Sequence, residues 1–476
     1  MMKIDGIDIT GVTCDSRKVK EGFAFIAIKG SRKDGNQYIP EAIRKGASII
    51  YTENFNKIYG VPVIKAEDSR KKLAELLNKY FDYPSKKLIL VGITGTNGKT
   101  TTSYILEHIL KSAGFRTGVI GTLGIKYGEK HIPTKLTTPE PETLFYEINE
   151  MVNQNVEVAI MEVSSHGLKL ARVYGLDFDI AIHTNIGIDH MNFHKTKSDY
   201  IKSKKTLFDS LKVNGISIIN LDDKEGLKLI EGNTNTLALT YGLNSKSSIT
   251  ASSLKLQEII NFNLCIQRGL TSINNVEIEP MEVPISINLI GRHNIYNSLA
   301  AISGALCFGI QANTIAESIS KFSGLDRRLS IVYNKDCLII DDFCHNPQGY
   351  EVVFEAIQSI DFNKLIIVNA IRGNRGVQIN RNNAKVLASW CDTIKNAKIF
   401  LTLSRDTTIE EDRVREAEVL VYKKILDEMG NNYIINEKLE ESLQGALKIA
   451  EKNDLILLLG AQGMDEGKRL VRSMLR

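Results

Sequence analysis

The stretch LILVGITGTNGKTTTSYILEHILKSAGF (88–115) constrains this chain more than any other part of it. A short apolar run passes straight into Gly95-Thr96-Asn97-Gly98-Lys99-Thr100, and a helix-forming segment begins at once. The apolar run has the length of a buried strand and falls far short of the ~20 residues a membrane helix needs. Gly95 and Gly98 let backbone N–H groups close around phosphate oxygens, and the helix N-terminus adds partial positive charge. Lys99 is then placed to reach terminal phosphates, and the Thr100 hydroxyl suits a Mg²⁺ ligand. Gly95, Thr96, Asn97, Gly98, Lys99, Thr100 and Thr101 are accordingly the candidate nucleotide-binding residues. The usual phosphate-loop spacing has a glycine where this chain carries Ile93.

The rhythm around this stretch sets the fold class. VEVAIMEVSS (156–165) and FDIAIHTNI (178–186) read as further buried strands with helical stretches between them. Such alternation predicts a central, mostly parallel sheet of the phosphate-loop type with helices on both faces. DCLIIDD, KLIIVNA, AKIFLTL and DLILLLGA repeat the rhythm after residue 326, as a second, smaller, Rossmann-like α/β unit. Before residue 87, short strands with Gly and Asp turns lead into an amphipathic helix at SRKKLAELLNKYFDYP (69–84), and Pro84 and Ser85 read as a linker. A chain of 476 residues accommodates about three domains. The expected boundaries are 1–86, 87–325 and 326–476.

Charge and cysteine content narrow the function classes. With 60 basic and 56 acidic residues the net charge is only +4, which gives no reason to expect nucleic acid or a membrane surface as main partner. The opening MMKIDGIDIT has no apolar core of signal-peptide length, and no membrane insertion is expected. Cys14, Cys265, Cys307, Cys337, Cys344 and Cys391 are scattered without CxxC spacing, so neither a disulfide framework nor a structural zinc site is expected. These features point to the cytoplasm.

GTNGKTT resembles the ATP loop of the Mur ligase family, and other segments carry the resemblance across the chain. MEVSSHGLKLARVYGLDFDIAIHTNIGIDHMNFH (161–194) and SDYIKSKKTLF (198–208) are similar to the MurE type in particular. CDSRKVKEGFAFIAIKGSRKDGNQYIPEAIRKGA (14–47) is similar to that family's UDP-binding domain. LIGRHNIYNSLAA (289–301), GLDRRL (324–329) and IIDDFCHNP (339–347) follow in the family's order. The resemblance implies an ATP- and Mg²⁺-dependent ligase that joins a free amino acid to a UDP-linked sugar-peptide precursor of the cell wall through an acyl phosphate. A monomer is the expected state.

Several roles follow from this resemblance and from chemistry. Making an amide from a carboxylate requires a better leaving group than oxide, and phosphorylation supplies one while metal and cation neutralise the developing charge. Glu162 ends a buried apolar strand, where a lone carboxylate is costly unless paired or metal-bound. The resemblance makes Glu162 and His190 Mg²⁺ ligands. Lys204, four residues after Tyr200 on the same helical face, occupies the position of the family's carbamylated lysine, whose carbamate binds metal. Lys202 and Lys205 read as a solvated face. By the same resemblance, Ser16 and Arg17 contact the uridine diphosphate end, with Lys29 and Gly30 nearby. Thr137, Thr138, Ser164 and Arg172 hold the sugar-peptide portion. Asn297 faces adenine, and Arg328 and Asp342 belong to the nucleotide site. Asp342 is preferred to Asp341 because FCHNP follows it.

The departures concern the incoming amino acid. The family's diaminopimelate-adding members carry Asp-Asn-Pro-Arg where this chain reads FLTLSRDTTIEED (400–412). Their Gly-Lys-Gly-His-Glu segment is replaced by GAQGMDEG (460–467), while RGNRG (372–376) keeps Arg375 where the family has an arginine near the acceptor's carboxylate. An α-amino acid other than diaminopimelate is expected, with lysine and alanine open, as are the murein and pseudomurein pathways. Two alternatives are a folylpolyglutamate-synthase-like ligase, which lacks a segment like CDSRKVKEGFAFIAIKG, and a non-catalytic nucleotide-binding relative.

Overall fold

The computed structural model describes residues 2–4, 6–30, 33–54, 60–187, 193–256, 259–394 and 396–475. They gather into two compact units. The first comprises Met1–Thr250, Cys265–Met281 and Asn297–Ser318, and the second Ala251–Leu264, Glu282–Tyr296 and Ile319–Arg476.

In the first unit, strands Gly11–Thr13, Phe23–Ala27, Ala47–Thr52 and Val63–Lys65 form a parallel sheet in chain order. Helix Ser69–Tyr80 follows, its start fixed by the Asp68 carboxylate, which accepts the N–H groups of Arg70 and Lys71. It buries Leu73, Leu76 and Leu77. The segment expected to be a linker at Pro84 and Ser85 is instead a packed 3₁₀ turn, Pro84–Lys87. Ser85 is buried and its hydroxyl accepts the Asp177 N–H at 3.2 Å, a contact with a partner too distant in sequence for composition to reveal.

The larger sheet of this unit runs, in spatial order, Lys130–Ile132, Gly124–Tyr127, Thr117–Gly121, Val158–Glu162, Ile89–Thr94, Phe178–His183, Leu211–Asn220 and Leu237–Tyr241. The first two make an antiparallel hairpin on the edge, and from Thr117–Gly121 onward the pairs are parallel. The strand Ile89–Thr94 is central and buried, which explains its unbroken apolar run. Register places Ile93 beside Glu162 and Thr94 beside His183, so three carboxyl ends share one edge. That edge is where open α/β sheets bind ligands. The expected alternation with helices stops near residue 237. Strands Ile249–Leu256, Ile260–Ile266 and Met281–Ile287 succeed one another with no helix among the described residues between them. Met281–Ile287 alternates buried Val283, Ile285 and Ile287 with more exposed neighbours, the mark of a strand covered on one face.

The second unit carries an open sheet in the order Ser330–Asn334, Leu338–Asp342, Leu455–Leu459, Leu365–Ala370, Lys398–Thr402 and Tyr433–Asn436. Only the first pair is antiparallel, in keeping with the Rossmann-like expectation. Helices Pro347–Ile357, Val377–Thr393, Glu416–Glu428 and Leu439–Ile449 pack their apolar stripes into its core. Among the described residues no helix is long and apolar enough to cross a membrane.

Candidate functional site

The phosphate loop leaves Ile89–Thr94 and enters helix Lys99–Ser112 through Gly98 at φ 86°. A β-carbon at Gly98 would come within 2.3 Å of Asn297 Oδ1, so only glycine both turns here and lets that side chain lie against the loop. The loop is held by the segment after Phe178–His183. The Thr96 N–H donates to the Asn185 carbonyl at 2.8 Å and the Asn97 N–H to Asn185 Oδ1 at 3.0 Å. The Thr184 hydroxyl donates to the Asn97 carbonyl at 2.6 Å, and the Gly187 N–H to Thr96 Oγ1 at 2.8 Å.

Two lysines converge on this loop. Lys99 Nζ donates to the carbonyls of Gly95 and Thr96 at 2.8 and 2.9 Å. Lys204 Nζ donates to the same Gly95 carbonyl at 2.9 Å, from helix Lys197–Asp209. Lys204 is only 1% exposed, and its ammonium lies 4.5 Å from the Tyr200 ring centroid. The Tyr200 hydroxyl in turn stands 2.9 Å from Thr96 Oγ1. Lys202 is exposed and Lys205 pairs with Asp209 at 2.5 Å, so burial singles out Lys204 among its neighbours.

Glu162 is wholly buried at the sheet edge. Its Oε2 accepts the Thr100 hydroxyl at 2.8 Å and the Thr122 hydroxyl at 3.1 Å, while Oε1 accepts the Thr122 N–H at 2.9 Å. The phosphate loop's threonine and the strand-end carboxylate therefore form one cluster, and Thr122, which the motif reading missed, completes it. Thr137 joins through Thr122 at 3.0 Å. Thr138 donates to the Glu162 carbonyl at 2.9 Å and accepts the Ser164 N–H at 2.9 Å. Arg172, nearly buried, donates to the Thr138 carbonyl at 3.0 Å and pairs with Glu140 at 2.7 Å.

The histidine expected as second metal ligand, His190, lies outside the described residues. Nearby, buried His194 stands 3.5 Å from Asp199, and His166 stacks on Phe193 with ring centroids 4.0 Å apart. His183 is buried beside Asp223 at 3.1 Å; burial pushes its imidazole below the usual range, with Asp223 opposing. Among the described residues no group of three or more His, Cys, Asp or Glu is arranged to hold a metal. Mg²⁺ asks for less than that, since it takes one or two carboxylates and fills its octahedron with water and phosphate oxygens. The Glu162–Thr100 pair beside the phosphate loop fits this demand.

Ser16 and Arg17 occupy one loop of the first unit. The Ser16 hydroxyl donates to Glu41 at 2.8 Å, and the exposed Arg17 makes a two-pronged contact with Asp15 at 2.9 and 2.7 Å. Glu142 ties this loop down, accepting the Thr13 hydroxyl at 2.7 Å and the Cys14 N–H at 2.6 Å and pairing with Lys18 at 3.0 Å.

In the second unit Asp342 ends strand Leu338–Asp342 and accepts the Leu329 N–H at 2.9 Å. Burial raises its carboxyl above the ordinary range, with Arg328 opposing. Arg328 itself lies over the Phe343 ring at 5.3 Å. Asp341 points its charge elsewhere: burial raises it to about 6, and it pairs with Arg327 at 3.2 Å. Arg327 also reaches Asp465 and the carbonyls of Gly460 and Ala461, so this neighbour is committed to joining strand ends. Arg375 contacts Asp412 at 2.8 Å from the loop before helix Val377–Thr393.

Comparison with known proteins covers nearly the whole chain. Residues 8–84 match the family described as Mur ligase family, catalytic domain, residues 93–305 the Mur ligase middle domain, and residues 327–462 the Mur ligase, glutamate ligase domain. The chain is 34% identical over 459 residues to the UDP-N-acetylmuramoyl-L-alanyl-D-glutamate–2,6-diaminopimelate ligase 1 of Clostridium acetobutylicum, covering 95% of this chain and 90% of that one. It is 33% identical to the corresponding ligase of Caldanaerobacter subterraneus subsp. tengcongensis, with the same coverage. A solved structure of a UDP-N-acetylmuramoyl-L-alanyl-D-glutamate–2,6-diaminopimelate ligase shares the fold, with TM-score 0.69 and 22% identity, covering all of this chain and 98% of that one.

Proposed function

The chain belongs to the Mur ligase family as an ATP-dependent cell-wall peptide ligase, and we propose that it joins a free amino acid to a UDP-linked sugar-peptide precursor through an acyl phosphate. The observation that supports this most is the cluster in which Lys99 and Lys204 meet at the Gly95 carbonyl while Thr100 meets Glu162. One edge of one sheet thus carries Lys99 as a cation suited to phosphate, a hydroxyl and carboxylate suited to a metal ion, a second lysine open to carbamylation, and polar groups suited to a peptide substrate.

In the proposed reaction the loop N–H groups and Lys99 hold the β- and γ-phosphates of ATP. Thr100 and Glu162 would hold Mg²⁺, with His190 and a carbamylated Lys204 for a second ion; bound there, the metal neutralises charge on the transferring phosphoryl group. Thr137, Thr138, Ser164 and Arg172 orient the precursor so that its carboxylate oxygen attacks the γ-phosphorus and ADP leaves. The amine of the second substrate then attacks the acyl carbon; the C–N bond forms, the C–O bond to phosphate breaks, and a proton is released. Ser16 and Arg17 hold the uridine diphosphate end, Asn297 the adenine, and Arg328 and Asp342 the nucleotide. Arg375 pairs with the acceptor's carboxylate, a geometry suited to its planar fork. The proposed domains are 1–86 for the precursor, 87–325 for ATP and 326–476 for the amino acid, and the proposed site of action is the cytoplasm.

The relatives compared are named for diaminopimelate. This chain has FLTLSRDTTIEED (400–412) in place of Asp-Asn-Pro-Arg, and the proposed acceptor is another α-amino acid. The test is release of ADP and phosphate from ATP with UDP-linked muramoyl peptides and a panel containing L-lysine, L-alanine and meso-diaminopimelate. Activity with meso-diaminopimelate alone overturns the acceptor assignment, and activity with none of the panel overturns the ligase reading of the substrates.

A further inference from the structure

Glu418 lies within the first turn of helix Glu416–Glu428 and is 1% exposed. A buried carboxylate demands partners. Here all four come from the backbone: Oε1 accepts the N–H groups of Arg375 and Gly376 at 2.9 and 2.8 Å, and Oε2 those of Asn374 and Arg415, both at 2.9 Å. Three consecutive N–H groups aimed at one anion form a nest, a conformation that Asn374 at φ 53° and Gly376 at φ 99° make possible. The same loop is pressed against the segment before the helix. A β-carbon at Gly373 would come within 2.0 Å of the Asp412 carbonyl oxygen, and Asn374 Nδ2 donates to the Glu411 carbonyl at 2.9 Å. Glu418 thereby clamps the loop carrying Arg375 to the start of helix Glu416–Glu428, while Gly373 and Asn374 of the same loop lie against the end of the stretch that departs from the diaminopimelate motif.

We propose that Glu418 is the positioning residue of the acceptor amino-acid site, setting the place of Arg375 through the backbone nest; this rests on the reading of Arg375 as the acceptor-carboxylate ligand. An arginine fork discriminates only when its anchor is held, and a misplacement of about 1 Å costs on the order of 100-fold. Glu418→Gln has the same shape but turns an NH₂ group toward two of the four N–H donors. Glu418→Asp keeps the charge and withdraws it by one methylene.

The experiment is steady-state ligation by the full chain, with L-lysine, L-alanine and meso-diaminopimelate each titrated as acceptor. KM for ATP and for the UDP-linked precursor is measured in parallel, and folding is checked by circular dichroism. Glu418→Gln should raise the acceptor KM about 10- to 100-fold and leave the other two KM values within about twofold, with Glu418→Asp intermediate. Arg375→Ala should raise the acceptor KM as well. If Arg375→Ala leaves it unchanged, the role of Arg375 falls. If Arg375→Ala raises it while Glu418→Gln does not, the positioning role falls. A rise in all three KM values together assigns Glu418 to general stability and overturns the proposal too; should the Gln variant not fold, the Asp variant decides by the same three readings.

Discussion

The phosphate loop of the first unit and the Arg375 loop of the second are both glycine-bearing turns that leave a strand end and enter a helix, yet they are held in opposite ways. In the phosphate loop, cations reach the turn's carbonyls: Lys99 and Lys204 both donate to Gly95. In the Arg375 loop an anion reaches the turn's amides, through Glu418. A loop whose carbonyls are capped by Lys99 carries a cation suited to the phosphate role proposed for it. A loop whose amides at Asn374, Arg375 and Gly376 are already filled by a carboxylate leaves anion recognition to its side chains, the role proposed for Arg375. Similar chain paths thus acquire different chemistry from which backbone pole is already satisfied.

The largest effect should come from the phosphate loop. Lys99→Ala removes the cation proposed to face the β- and γ-phosphates, and turnover should fall on the order of 10²–10⁴ with the fold intact, measured as ADP release beside a circular dichroism spectrum. Near-normal turnover would remove Lys99 from the phosphate role. Lys204→Ala should lose activity as well, because its partner at Gly95 and the proposed carbamate both disappear. Added short-chain carboxylic acids should restore part of it by supplying the missing oxygens; a variant indifferent to them leaves Lys204 an ordinary structural lysine.

The second unit has its own pH signature. Asp341 is wholly buried and its carboxyl is raised from 3.8 to about 6. A carboxyl raised in the folded state favours folding most when protonated, so its contribution is full below about pH 4 and is lost as pH rises through about 6. Asp341→Asn should flatten the stability of this unit between those values, by up to about 3 kcal/mol for a two-unit shift. Urea melts at several pH values measure this, and an unchanged slope contradicts the assigned burial. The smallest effects sharpen the contrast from outside: Lys202→Ala and Lys205→Ala should each alter stability by no more than ~0.5 kcal/mol.

Legibility in the sequence followed distance along the chain. Gly95 to Thr101 could be read directly, because strand, turn and helix are consecutive and each leaves a local pattern. Glu162 could be flagged as a charge ending an apolar run, and Asp342 likewise. Thr122 was missed because its bonds to Glu162 depend on two strands lying side by side in register. Asn185 was missed for a similar reason, as its bonds to the loop span 88 residues. The strands after residue 237 misled the alternation rule, since a sheet covered on one face needs no helix between its strands.

What the sequence alone determined here is the α/β class, the phosphate loop, the family resemblance and the short set of residues able to bear its chemistry. These rest on backbone preference, glycine's access to positive φ and hydrophobic period, all of which act over a few residues. Tertiary structure decided which of three clustered lysines loses its water and turns to the Gly95 carbonyl, which of two adjacent aspartates pairs with Arg327, and that Glu418 fills the nest beneath Arg375. The physical reason is that burial and hydrogen-bond partnership are properties of packed neighbours, and the deciding partners Gly95, Asp341 and Arg375 lie 109, 14 and 43 positions away along the chain.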